Sequence, residues 1–449
     1  MKRSTVIFPI LLLMQFSLIG QSFSLVQSLE YAKQKNSNMV ISDLDLRLSR
    51  EKITEQIGTA LPQINFTGTL EDKLKMATTI MPGELIGQPG TTLAIQMGTK
   101  YNATAGLTLN QKVFNPSFWV ALEAAKISEN ISQLSVQQTT EQVQYNVCSA
   151  YYKCLVVQKQ LSNLQKILEA SKQTLASTQL KFKNGVGKKI DVDKVQVSYN
   201  NTYSQLQQTE LKYKQVLNNL KFAMGMPVDA NIALSDSLTD YTVSVAIDGN
   251  ASYQSYLPNR TDYQLQKTMV QLYEADKKNN IAAYLPTLSF YANYNYQSMR
   301  NQFDLFHKNT DWYANSAIGL ELKIPIFSGF SRYSKVEQSR LSVQKEKENL
   351  HLNEQSIYVD ISNKSDEYSN SISNIQTEKD NLALAESVYK NTQIDFAQGA
   401  ASSLDLTQAE RALVEAQNNY YTRLQNLYIA RLDLEKAQGT LNNYVNNLK

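Results

Sequence analysis

The chain has 449 residues, and its 44 Lys and Arg nearly balance its 41 Asp and Glu, for a net charge of +3. The charges are interspersed, so there is neither a basic block for nucleic acid nor an acidic disordered tail. Length alone would suggest about three packed domains. Nine Pro and sixteen Gly among tracts rich in Gln, Asn, Ser, Leu and Ala instead describe long helices.

Met1-Lys2-Arg3 ahead of the apolar run Val6 to Ile19 reads as a secretory signal. The run is too short to span a bilayer. Residues 1–20 are assigned to the signal, with cleavage after Gly20 or as late as Ser24. No cysteine stands near either point, so no lipid-modified terminus is expected. No later stretch approaches 18 apolar residues, so no transmembrane helix is expected.

A first repeat is assigned to residues 21–225. Ser28 to about Thr59 is helical in pattern and ends at Leu61-Pro62. Ile64, Phe66, Gly68 and Leu70 then alternate with polar residues, as do Tyr101, Ala103, Ala105, Leu107 and Leu109, and period two means strands. Lys73 to Lys100 between them is expected to be a loop, with Pro82-Gly83 and Pro89-Gly90 as breakers. Asn115-Pro116 opens a long helix. Val143, Val147, Ala150, Cys154, Val157, Leu161, Leu164 and Leu168 give it a heptad seam that runs on to Phe182. Past the turn around Gly185, a helix with core positions from Val195 to Ala223 stops at Gly225-Met226-Pro227.

Residues 226–259 form a weakly patterned linker, and a second repeat, 260–439, follows. Arg260 to Tyr284 is helical up to Leu285-Pro286. Leu288 to Tyr296 and Trp312 to Ile324 alternate as strands. A helix from Ser328-Gly329 to Phe396 turns around Gly399 and returns to Gly439. Gly185 and Gly399, like Gly225 and Gly439, lie 214 residues apart. A duplicated supersecondary unit is the organising fact. The first copy carries 11 extra residues in its strand loop, and residues 440–449 are left as a tail.

Each strand is about ten residues long, the reach of a tilted membrane strand. Tyr101, Tyr294, Tyr296, Trp312 and Tyr313 sit near strand ends, as interface aromatics do. Four strands cannot close a barrel, and open edges are not tolerated in lipid, so a barrel has to be shared among chains. The long helices of about 65 residues reach close to 100 Å. The returning helices have about 35 residues. The short helices therefore stack in pairs to match the long ones, with strands at one end of the rods and glycine turns at the other.

In this ordered, duplicated set of signals the chain resembles the TolC-type outer-membrane efflux proteins. The likeness rests on Ser24-Leu25 with Leu29 and Ala32, Leu61-Pro62 and Leu285-Pro286, and Val113-Phe114-Asn115 and Ile326-Phe327-Ser328-Gly329. The turns at Gly185 and Gly399 and the ending Ala223-Met224-Gly225 complete it, so it covers essentially the whole mature chain. The resemblance implies a mostly α fold with a membrane β part. Duplicated coiled-coil hairpins build an α-barrel, and four strands per chain contribute to a 12-stranded barrel in a homotrimer. It implies an outer-membrane location in a Gram-negative bacterium, extending into the periplasm. There the protein serves as the passive exit duct of a tripartite efflux or type I secretion system. An inner-membrane pump of the resistance-nodulation-division or ABC type drives it through a periplasmic adaptor.

The adaptor contact falls on Gly185, Val186, Gly187 and Lys188 and on Gly399, Ala400, Ala401 and Ser402. Asp405 and Asp191 match the family's pore-constricting acids. A second pore acid is replaced by Gln408, and a gate arginine by Ala401. From the residues alone, Ser402-x-x-Asp405 is also a helix capping box. Gly185, Gly187 and Gly399 are expected at positive φ, and Cys154 is a small seam residue. The two cysteines, six apart on one helix, point apart and form no disulfide. His307 and His351 have no ligand spacing, and no nucleophile elbow, phosphate loop or acid–base pair appears. No enzyme, cofactor, metal site or nucleic-acid partner is expected. The competing class is a non-transporting periplasmic or surface coiled-coil scaffold, which has no use for bilayer-length strands.

Overall fold

The computed structural model describes residues 21–82, 87, 89–238, 253–305, 307–308 and 310–448. The signal assigned to residues 1–20, the breaker Gly83 and the middle of the 226–259 linker lie outside them. In chain order the elements begin with β1 (Gln21–Phe23), α1 (Leu25–Lys35), α2 (Ser37–Gly58) and β2 (Gln63–Asp72). Next come β3 (Thr78–Pro82), β4 (Thr92–Gln96), β5 (Tyr101–Phe114), α3 (Pro116–Lys183), α4 (Lys189–Met224) and β6 (Ile232–Leu234). The second half holds α5 (Thr261–Ala282), β7 (Thr287–Arg300), β8 (Tyr313–Lys323), α6 (Ser331–Gln398), α7 (Ser403–Ala437) and α8 (Leu441–Asn446). The long helices have 68 residues each and the returning ones 36 and 35, so the duplication extends to element length.

The chain divides into two compact units, one made of Asp45–Gln133 with Gln266–Leu350 and the other of the rest. The first unit contains a four-stranded antiparallel sheet in the order β2-β5-β7-β8. Its register sorts the side chains by face, because directly paired residues point the same way. One set of rows reads Ile64–Leu109–Ala292–Ile318 and Phe66–Leu107–Tyr294–Ser316. The alternate rows read Asn65–Thr108–Asn293–Ala317 and Thr67–Gly106–Asn295–Asn315. One face is thus apolar and the other carries Asn and Thr, with Asn295 Nδ2 donating to Asn315 Oδ1 at 3.3 Å. The apolar face lies open: Phe66 is 71% exposed and Ile318 80%. Within the segment expected as a plain loop, β3 and β4 pair as an additional hairpin. Its short strands lack a long alternating pattern, which is why the sequence reads as a loop.

The second unit holds the turn ends of the four long helices. In α4, Val195, Thr202, Leu206 and Leu220 are buried, and Tyr199, Thr209, Tyr213 and Val216 are half-buried, as the heptads predict. In α3 the seam drifts: beyond Val157 the buried set is Gln160, Leu164, Ile167, Ser171, Leu175 and Thr178, while Leu161 and Leu168 stand half-buried beside it. A 3.6-residue helix slips against a strict seven-residue repeat, and here it moves small polar residues into the core. Cys148 and Cys154 are buried free thiols, each pushed up to about 12 by burial. A buried thiol so far from ionising behaves as a small apolar side chain.

The helix expected over Ser28–Thr59 is broken at Asn36, whose extended backbone ends α1. Asn36 Oδ1 accepts from the Asn38 N–H at 2.8 Å, and its Nδ2 donates to the Ala223 carbonyl at 2.8 Å. One amide thus caps the start of α2 and the end of α4. Residues 21–24, which the later cleavage position would remove, are part of the fold. β1 pairs in parallel with β6, and Ser24 forms a capping box with Gln27 at the head of α1. Asp236, beyond β6, accepts from the Leu25 N–H at 2.9 Å and from the Tyr151 hydroxyl at 2.8 Å. The segment expected as a tail forms α8, which buries Leu441 and Val445 in the core.

Helices α4 and α7 end alike. Gly225 N–H donates to the Phe222 carbonyl and Met226 N–H to Lys221; 214 residues on, Gly439 N–H donates to Lys436 and Thr440 N–H to Glu435. These paired bonds around a left-handed glycine (φ 75° and 72°) form a Schellman motif. Each glycine also faces the backbone of an asparagine. A Cβ on Gly225 would lie 2.6 Å from Asn36 Cα, and one on Gly439 2.6 Å from the Asn259 carbonyl oxygen. Gly185, by contrast, has nothing within 4 Å of a built Cβ.

Gly225→Ala therefore meets both the left-handed penalty, about 1–2 kcal/mol, and a clash with Asn36. Gly185→Ala meets the first alone. Thermal melts of the two variants are expected to place Gly225→Ala lower by several degrees. Equal melting temperatures would show that the close approach to Asn36 is not maintained.

Candidate functional site

The two turns of the helical hairpins are superposable in their hydrogen bonding. At the first, Gly185 N–H donates to Phe182 and Val186 N–H to Lys181, each at 3.0 Å. At the second, Gly399 N–H donates to Phe396 at 3.2 Å and Ala400 N–H to Asp395 at 2.8 Å. Both are Schellman motifs, with φ of 77° at Gly185 and 81° at Gly399, as expected. Gly187 differs from expectation. It is not among the positive-φ residues. It is needed because a Cβ would stand 3.0 Å from the Phe182 nitrogen and 3.2 Å from the Lys181 carbonyl carbon. The tight turn makes the backbone meet itself there.

The turns present a mostly exposed surface. Gly185, Val186 and Lys188 are exposed in the first, and Gly399, Ala400 and Ser402 in the second, while Gly187 and Ala401 are half-buried. Val186 is 78% exposed. Lys188 is the N-cap of α4 but makes no side-chain capping bond.

Asp405 is held in the capping box that its sequence announces. The Ser402 N–H donates to Asp405 Oδ2 at 2.9 Å, the Asp405 N–H donates to Ser402 Oγ at 3.2 Å, and Ser402 Oγ donates back to Oδ2 at 2.7 Å. The Ser402 hydroxyl and backbone hold this exposed carboxyl below the usual carboxylate range. Asp191, its counterpart in the first repeat, sits in the first turn of α4 and accepts from Ser403 Oγ at 2.6 Å. Gln408 is exposed, and no hydrogen bond joins it to Asp405. Of the three residues expected at a constriction, Asp191 and Asp405 thus lie at the starts of α4 and α7, where Ser403 joins the two helix starts.

The structure brings the two turns together through Ser403 and Lys181, which the sequence reading passed over. Ser403 bonds Asp191 across the hairpins, and Lys181 Nζ donates to the Ala397 carbonyl at 3.3 Å, 5.5 Å from the Phe396 ring centre. Farther up, Thr202 Oγ1 of α4 donates to Glu410 Oε1 of α7 at 2.8 Å, and Glu410 is 5% exposed. A groove of about 540 Å³ runs beside them between α4 and α7. A signal for Glu410 was present. It stands between Leu406 and Leu413 at the alternate heptad position, where polar residues are rare. Among the described residues no group of His, Cys, Asp and Glu is placed to hold a metal, and no helix is long and apolar enough to cross a membrane.

The profile of the outer membrane efflux protein family matches residues 29–226 and 252–440. In sequence the chain is 23% identical to the outer membrane protein TolC of Escherichia coli strain K12, over 97% of this chain and 87% of that one. It is 20% identical to the proteases secretion protein PrtF of Dickeya chrysanthemi, over 98% and 93%. Among solved structures, the fold matches CusC with a TM-score of 0.72 at 16% identity, covering 92% of this chain and 91% of that one. The open state of the Neisseria gonorrhoeae MtrE outer membrane channel gives 0.71 at 16% identity, covering 93% and 89%. With a family profile matched along most of its length, the chain belongs to the outer membrane efflux proteins and resides in the outer membrane.

Proposed function

We propose that this chain is one third of an export duct: three copies close a 12-stranded barrel in the outer membrane. Their helical hairpins continue it as a tunnel through the periplasm. The observation that carries the reading is the sheet. Its apolar face is uncovered, its opposite face is lined with Asn and Thr, and among the described residues no strand pairs with the outer edges of β2 and β8. Apolar-out, polar-in alternation is the pattern of a membrane barrel wall around a wet interior. Unpaired edge amides in lipid cost several kcal/mol each, so the edges need partner strands. Copies of the same chain supply them in register. The names of the relatives, an outer membrane protein and a protease secretion protein, agree with passage of solutes or proteins.

In this reading the duct performs no chemistry. The exposed turns at Gly185–Lys188 and Gly399–Ser402 dock on a periplasmic adaptor, and an inner-membrane pump of the resistance-nodulation-division or ABC type supplies the energy. The bare backbone and exposed Val186 offer a shallow apolar surface, and Lys188 adds a positive rim. Asp405, Asp191 and Gln408, repeated by the symmetry of three chains, ring the entrance. The Asp405 charge persists at neutral pH, because its folded value lies below the ordinary one.

Protein extracted from outer membranes in mild detergent is expected to have the native mass of three chains once bound detergent is subtracted. A clean monomer would refute the shared barrel.

In planar bilayers, Asp405→Asn is expected to weaken cation selectivity and divalent-cation block, because an amide keeps the cap and removes the charge. Asp405→Ala loses the same charge and also the bond that the Ser402 N–H donates to the carboxylate. Unchanged block in both variants would confine Asp405 to its cap.

A further inference from the structure

Glu410 is a buried carboxylate without a cation, at the place where both hairpins meet. All four long helices reach it. Thr202 of α4 donates to it at 2.8 Å. Ser198 of α4 and Ser171 of α3 face it with their hydroxyls, and Tyr389 of α6 lies close enough to feel its charge. Ser171 Oγ is buried with no hydrogen-bond partner. The charged groups nearby are Asp193 and Lys194 of α4 and Arg411 of α7, which line the adjoining groove, and Asp191 of α4, which Ser403 engages. None of these cations pairs with Glu410. Arg431, farther along the same face of α7, is treated differently: it is ion-paired to Glu435. The Glu410 seam has only hydroxyls, which favour the charged carboxyl less than a paired cation would.

We propose that Glu410 is a proton-operated latch between the two helical hairpins: neutral, it lets the α4–α7 seam close, and charged, it loosens that seam. Its effect on passage rests on the export-duct reading; the latch itself does not. Burial raises the Glu410 carboxyl above its ordinary 4.5, against the pull of the Thr202 hydroxyl. Burial and the Glu410 charge together push Tyr389 up to about 12, so Tyr389 stays neutral throughout. A group whose closed-state value is raised stabilises the closed state most fully below its open-state value. That contribution is lost as the pH climbs through the raised one. The seam is therefore tightest below about pH 4.5 and loosens toward neutrality.

The test is amide hydrogen exchange on the full-length protein in detergent, read on peptides spanning residues 195–206 and 403–413 and corrected for intrinsic rates. The seam is expected to be better protected at pH 5 than at pH 8, by about tenfold for each unit separating the open and closed values. Glu410→Gln is expected to be equally protected at both. Thr202→Val removes a bond that favours the charged form, so it moves the transition to higher pH. A wild-type seam indifferent to pH, or a Glu410→Gln seam that keeps the wild-type response, overturns the latch. If Glu410→Gln does not fold, an unmoved transition in Thr202→Val overturns it instead. Conductance of the same preparations separates the two readings: absence of pores defeats the duct, while exchange alone judges the latch.

Discussion

A helix of 68 residues leaves its last carbonyls without partners, and the whole hairpin architecture depends on how they are satisfied. This chain meets the requirement four times in one way. The N–H groups at Gly185, Gly225, Gly399 and Gly439, and those one residue later, fold back onto the final turn. Each of these glycines is left-handed, which costs other residues about 1–2 kcal/mol. The reversal is therefore tied to single residues, and these set where the exposed turns fall. Ser402 with Asp405 then starts the return helix within three residues of Gly399.

Much of this was legible because periodicity and glycine are local signals. The 214-residue spacing, the helix lengths, the alternating strands and the Ser402–Asp405 box can all be read along the chain. What was not legible depends on neighbours distant in sequence. Asn36 breaks a helix that its own flanks would continue, because Ala223 offers a carbonyl and Gly225 leaves room. Gly187 reads as another left-handed turn former, yet it is required by the approach of Lys181 and Phe182. The β3–β4 hairpin and α8 were missed because five- and six-residue elements are too short to display a period. The tie between Ser403 and Asp191 has no linear signal at all.

The seam of α7 departs from an apolar coiled coil in a patterned way. Glu410, Gln417, Leu424 and Arg431 follow one another at seven-residue steps, all buried. Polar groups at core positions reduce stability and help specify partner and register. Here each meets a different solution: hydroxyls around Glu410 and an ion pair for Arg431. Near the turns the packing is thus held by hydrogen bonds that can be exchanged one at a time. Leu424, Leu427 and Leu432 are buried apolar side chains, with the Arg431–Glu435 ion pair among them.

The two repeats keep identical spacing between turn glycine and end glycine, while the spacing from Leu61 to Leu107 exceeds that from Leu285 to Leu320 by 11 residues. Between Lys189 and Gly225 each residue contributes about 100° of rotation. Loss of one residue there would swing the seam side chains beyond it out of the core and move Gly225 off Asn36. The loop bearing β3 and β4 has no such ruler. Across related chains, gains and losses of length should accumulate in that loop and be nearly absent from α4 and α7, so the tolerance of this fold for new peptide is concentrated in the segment between its first pair of long strands.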